Sequence, residues 1–201
     1  MSDLKMSPEQ SIQLIGAVIE EAKTRFEENG VIYMFWGLFV SLIAFTQFLL
    51  LYWEEYAISW YPYLAIPLGL LFTFGYYWNK NRYRNRNQIS SIISKTWLFL
   101  AINKMVLGFF FAPVLGENLS PIILILLATG ILISGIALKT TVLIISSILI
   151  NIAALCCFQV SWLYQPLVMS GASLLAVMVP GLFMYNKAKH RERMKSPLGS
   201  A

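Results

Sequence analysis

The chain has 201 residues, is 58% hydrophobic and only 12% charged, and carries a net charge of +5, whereas an ordinary soluble domain has about 25% charged residues. That much apolar side chain exceeds what the core of a soluble fold of this length can bury. The basic residues gather at the two ends, in one central loop and at the isolated Lys104 and Lys139, a distribution that fits membrane topology and attraction to anionic lipid heads and points away from nucleic acid.

Residues 1–30 read as a cytoplasmic amphipathic helix. Acidic residues and the lack of a continuous apolar segment before Val31 argue against a secretory signal. Ser7, Pro8 and Gln10 have the spacing of a capping box with proline at the first helical position. Ile12, Ile15, Val18, Ile19, Ala22 and Phe26 then recur as an apolar stripe, opposite Glu20, Glu21, Lys23, Glu27 and Glu28, and Asn29–Gly30 stops the helix. An acidic polar face is a poor anchor for anionic lipid. Docking on protein, in the same or a neighbouring subunit, through Ile12, Ile15, Ile19 and Phe26 is therefore the expectation, with the acidic face toward the basic loop.

Residues 31–186 read as a transmembrane domain. The first span covers about 31–53, with Tyr33, Trp36, Tyr52 and Trp53 toward its ends, where interfacial aromatics belong. The second covers about 61–78, and Pro67 inside it should bend the helix or delay its regular part. Asn79 to Lys95 follows with Lys80, Arg82, Arg84, Arg86 and Lys95 and no acid, hence a cytoplasmic loop. A third span runs over about 96–112, and Ser120–Pro121 reads as N-cap and first position of a fourth. From Pro121 to Val160 the one charge is Lys139. A single helix of that length would reach about 60 Å, roughly twice the hydrocarbon thickness, so the chain must break near Lys139–Thr140–Thr141. A fifth span then covers about 142–160, and a sixth starts at Pro166 and kinks at Pro180–Gly181.

Residues 187–201 read as a basic cytoplasmic tail, with Arg191 and Arg193 in its cluster and Gly199–Ser200–Ala201 resembling a tag linker. Two basic clusters on one side require an even number of spans. The fold class is therefore an all-α polytopic membrane bundle with six transmembrane helices and an N-terminal amphipathic helix, both termini cytoplasmic, with Glu54, Glu55 and Glu117 outside. Gly130, Ser134 and Ala137 on the fourth span, and Ser147, Asn151 and Ala154 on the fifth, are expected to pack closely. They signal compact packing more strongly than a homodimer.

The sequence holds no HExxH, histidine pair, P-loop or Rossmann glycine pattern and no Asp after Asp3, so neither enzyme chemistry nor a cofactor or metal finds support. The lone His190 reads as incidental, and Cys156–Cys157 as small hydrophobes. Lys104 stands out, about 12 Å along the helix counted from Thr96. A cation at that depth is costly unless it faces a partner or water. Three readings stand: a structural lysine that snorkels or bonds carbonyls, a ligand- or lipid-binding group that with Asn103 faces a cavity alongside Asn151 or Gln159, or a shift of the thin span toward the cytoplasm. The membrane-surface or partner-binding candidates are Lys80, Arg82, Arg84, Arg86, Arg191 and Arg193.

The amphipathic N-terminal helix, the Trp36–Gly37 entry into the first span, the basic loop and the basic tail together resemble the small multispanning membrane proteins of unknown function found in Bacteroidetes. The resemblance covers residues 1–196. It implies a bacterial inner-membrane protein with an accessory or regulatory role and brings no catalytic residues. A regulatory or interaction scaffold is the leading functional expectation, and a small transporter, channel or lipid-binding protein the alternative. The expected partners are membrane lipids, with a protein on the N-terminal helix or basic loop.

Overall fold

The computed structural model describes residues 12–14, 16–19, 30–81 and 88–195, and all regular structure among them is helical. In chain order the main helices are α1 (Gly30–Tyr52), α2 (Ile66–Asn81), α3 (Gln88–Phe110), the single turn α4 (Ala112–Leu115), α5 (Leu119–Ala137), α6 (Thr141–Cys157), α7 (Gln165–Ser173) and α8 (Val179–Lys195). A π-helical turn, Leu174–Met178, joins α7 to α8. Five stretches of 20 to 26 residues are long and apolar enough to cross a membrane: Gly30–Tyr52, Tyr56–Tyr76, Ser91–Phe110, Ala112–Ala137 and Gln165–His190. The chain is a helical membrane protein. Thr141–Cys157 is apolar but shorter.

That shorter helix lies in the best-packed part of the molecule. On α5 the buried positions along one seam are Pro121, Leu124, Ala128, Ile131, Gly135 and, just past its end, Leu138, with Gly130 and Ser134 also buried beside them. On α6 they are Leu143, Ser147, Ile150, Ala154 and Cys157, with Ser146 beside them. Both rows step by threes and fours, the spacing that keeps one seam of a helix on its neighbour. Asn151 falls just off this seam and is exposed, so the close-packed face expected from Ser147, Asn151 and Ala154 holds only for the serine and the alanine.

The break expected near Lys139 is a tight one. Lys139 has a positive φ of 49°, its N–H donates to Ile136 O at 3.1 Å, and the Thr140 N–H donates to Gly135 O at 2.9 Å. This is a Schellman closure with a lysine where glycine is usual. Glu54 ends α1 in the same way: φ is 63°, and Glu54 and Glu55 donate to Leu51 O and Leu50 O. A Cβ in the left-handed region costs about 1–2 kcal/mol, part of which glycine returns through its freer unfolded chain. Lys139→Gly should therefore stabilise the protein by about 0.5–1 kcal/mol, read as a higher thermal midpoint in detergent.

The second close-packed seam joins α1 to the α7–α8 arm. A Cβ built on Gly37 would stand 2.4 Å from Met178 N, and one on Gly30 2.6 Å from Gly181 O. Farther along, the Ser41 and Ser170 hydroxyls share a buried hydrogen bond of 2.9 Å. The π-turn has a local cause. Pro180 has no N–H for the carbonyl of Ala176, and a wider turn just before the proline absorbs the lost α-helical bond. The expected kink at Pro180–Gly181 is thus a change of helical pitch one turn earlier.

The link from α6 to the α7–α8 arm is closed by Gln165, whose buried side-chain amide donates to Cys157 O at 3.2 Å. Cys157 is buried and Cys156 exposed, both free.

By contrast α2 leans on α1 through few residues. Trp36 Nε1 donates to Thr73 Oγ1 at 2.9 Å, Phe35 lies 4.3 Å from Phe72 between ring centroids, and Gly69 sits beneath Phe39 and Trp36. Leu68, Leu71, Phe74 and Trp78 are exposed. Pro67 delays the regular helix: Tyr61–Ala65 is 3-10, and α2 starts at Ile66.

Three boundaries differ from expectation. The third span starts at Gln88 rather than Thr96, because Ile89, Ile93 and Trp97 extend the apolar stripe through the polar stretch. Ile93 is buried and Lys95 is exposed on this helix. Ser120 is not an N-cap, since Leu119 is already helical and Asn118 holds the cap position without a side-chain hydrogen bond. The last helix, α8, passes Tyr185 and continues to Lys195, which follows from a run of Lys, Ala, Arg, Glu and Met free of Gly and Pro.

The two ends of the bundle differ in charge and aromatics. The rings of Tyr56 and Trp162 lie 5.7 Å apart between centroids, and those of Phe48 and Tyr164 6.0 Å, so the α1–α2 and α6–α7 links meet at one end. Glu54, Glu55 and Glu117 belong to links at that end, and Lys139, Lys187, Lys189 and Arg193 to the other.

Candidate functional site

Trp97 is the hub of the junction between α1, α3 and α5. Its indole Nε1 donates to Ser134 Oγ at 3.1 Å, and that hydroxyl donates back to Gly130 O at 2.9 Å. Tyr33 of α1 meets the indole edge-on, with centroids 6.2 Å apart. Ile93, Trp97, Leu100 and Lys104 lie on one stripe of α3, with Ile93 and Leu100 buried. The ammonium of Lys104 lies over the Trp97 ring, 5.7 Å from its centroid. The side chain therefore runs back toward the start of its helix, the direction helical side chains favour.

Helix register gives the depth of this lysine. Trp97 meets Ser134, and Leu100 lies against Gly130, where an added Cβ would stand 2.6 Å from Leu100 Cδ1. α3 and α5 are thus antiparallel, and Lys104 is level with Leu126 and Leu127. α1 is antiparallel to the α7–α8 arm, which shares the direction of α5, so α1 is parallel to α3 and the Tyr33–Trp97 contact makes Lys104 level with Val40 as well. Ser41 is the midpoint of Gly30–Tyr52, and Ala128 that of Leu119–Ala137. Both neighbours place Lys104 near their own midpoints, and on α3 it lies five residues past the midpoint Phe99 and six before the end at Phe110, well inside the span.

A lysine at the centre of a membrane helix costs about 2.5–3.5 kcal/mol on insertion scales, and a desolvated cation over an indole recovers about 2 kcal/mol. The ring offsets most of the cost but not all of it. Among the described residues no carboxylate, carbonyl or hydroxyl is hydrogen-bonded to Lys104.

None of the other candidates has a described contact with it. Asn103 donates to Phe99 O of its own helix at 2.8 Å, which satisfies part of its amide within α3. Asn151 is exposed on α6, and Gln159 is exposed in the turn after it. The described contacts of Lys104 and Asn103 lie within α3 and include neither residue. Lys80 and Arg191 are helical positions whose side chains, like all of Arg82, Arg84 and Arg86, lie outside the described residues, while Arg193 is exposed on α8. In the N-terminal segment Ile12 and Leu14 are exposed and Ile19 is partly covered. Ile15, Phe26 and the acidic face lie outside the described residues. No group of three or more metal-ligating side chains occurs among the described residues.

Sequence reasoning singled out Lys104 but missed Trp97, Ser134 as its acceptor, and Tyr33. The signal was present as Ile93, Trp97, Leu100 and Lys104 at heptad spacing, hidden while the helix was started at Thr96. Comparison of the chain with protein-family models, with curated proteins and with solved structures finds no match.

Proposed function

We propose that the protein is a six-span scaffold of the bacterial inner membrane, both termini cytoplasmic, that works by holding another membrane protein rather than by moving a solute. The supporting observation is the uneven packing: α1, α5, α6 and the α7–α8 arm are closed by glycine, serine and alanine contacts, whereas α2 and α3 present broad outer faces. On α3 these include Leu98, Phe99, Ile102 and Phe109, and on α2 Leu68, Leu71 and Phe74. A pump or channel needs elements that separate around a polar path, and the close-packed seams leave little freedom for that. Thr141–Cys157 counts as the sixth span in this reading, because 17 residues lie at the short limit for crossing and close packing on α5 compensates. The even number then brings the basic residues of both clusters to one side.

Compartment-sensitive reporters after Glu54, Lys139 and Lys195 test the topology, and only the first should report outside. Photo-reactive side chains placed at Phe74, Phe99 and Ile148 test the scaffold. Discrete protein adducts are expected from the first two in native membranes. Lipid adducts alone from all three, together with ion or solute flux in reconstituted vesicles, would replace the scaffold by a transporter.

A further inference from the structure

We infer that Lys104 is the docking point for a transmembrane helix of a different protein that carries an Asp or Glu near the middle of its span. This deepens the scaffold reading and rests on it. Depth decides the class of ligand. Half the hydrocarbon thickness is about 15 Å, more than a four-carbon stem can bridge, so a lipid headgroup that keeps to the interface does not reach this ammonium. Intramembrane cations are instead matched by groups at the same depth.

A second copy of this chain cannot supply that group. Beyond the N-terminal segment its carboxylates are Glu54, Glu55, Glu117 and Glu192, all at helix ends or in links. The pairing must come from another protein, whose mid-span carboxylate meets in Lys104 the one charge that restores neutrality to both.

The approach lies along α3. Lys104 is partly accessible, and one turn farther on the same side a Cβ added at Gly108 would meet nothing within 4 Å. Ala101, one turn before, is also small. Small residues on both sides of a polar one let two membrane helices come close enough to form a hydrogen bond. Trp97, held by Ser134 and Tyr33, keeps the ammonium at a fixed height, so the incoming carboxylate finds a preset partner.

The test uses the full-length protein in phosphatidylcholine bilayers and a set of synthetic Leu/Ala transmembrane peptides. Each peptide has one Glu, at the centre or four residues to either side, with Gln versions as controls, and association is followed by energy transfer from a labelled Cys156. The centred Glu peptide should associate about tenfold more tightly than its Gln control, the scale of polar contacts between membrane helices. Lys104→Met should remove that preference and Lys104→Arg retain it. Equal association of Glu and Gln peptides, or no dependence on Lys104, would overturn the inference. So would loss of the preference on adding phosphatidylglycerol, which would make Lys104 a lipid site. The two readings fail separately: protein adducts at Phe99 that persist in Lys104→Met leave the scaffold standing without its carboxylate, whereas absence of protein adducts at Phe99 in the unsubstituted protein removes both.

Discussion

Gly37→Leu should prevent the bundle from closing. The new side chain would begin 2.4 Å from the backbone nitrogen of Met178, so relief requires α1 and the α7–α8 arm to move apart as bodies. Overpacking a core against side chains costs about 1–3 kcal/mol. Here the obstacle is backbone, the Ser41–Ser170 bond one turn on is pulled with it, and the expected loss is at least about 3 kcal/mol. Unfolding in mixed detergent micelles measures it. Gly75 is the control, since a Cβ there meets nothing within 4 Å. Gly75→Leu should be neutral or slightly stabilising through helix propensity. Equal losses at the two glycines would mean that the seam is looser than the geometry indicates.

Trp97→Ala should cost about 3 kcal/mol, the low end for a large aromatic because the indole is half-buried in the junction. It strands Ser134 without its donor and leaves the Lys104 ammonium without its ring. The second loss can be isolated. In a Lys104→Met background no cation depends on the indole, so the same tryptophan change should cost about 1–2 kcal/mol less. Lys104→Met alone should stabilise the protein slightly, because the ring offsets less than the full cost of a lysine at mid-depth. Additive effects in this cycle would show that the ring does not hold the charge.

The sequence was most informative where physics is local. A forty-residue apolar run had to break, and the single charge in it marked the place, since Lys139 occupies the αL position that ends α5. Pro67 delayed a helix for reasons internal to its own residue. What the sequence left hidden were pairings across the bundle. Gly30, Gly37 and Ser41 on α1 look ordinary until α8, the π-turn and α7 supply Gly181, Met178 and Ser170 opposite them. Asn151 looked like part of a small, polar seam because it is three residues from Ala154, yet the buried row runs through Ile150. The same limit applied at the candidate site. Polarity drew attention to Asn103, Asn151 and Gln159, whereas Lys104 is held by an aromatic ring whose own partner lies on another helix.

The light attachment of α2 bears on how this chain can change over generations. Its outer positions, Leu68, Leu71, Phe74 and Trp78, meet no fixed surface within the protein, so selection there acts on average apolarity and not on the order of residues. Drift among Leu, Ile, Val and Phe costs little on such a helix. α1 offers no such latitude, because its small residues must stay in step with those of α8 and α7. The two helices of one hairpin should therefore diverge at very different speeds, and positions on α2 that nonetheless resist drift would mark the footprint of whatever the helix touches in the living membrane.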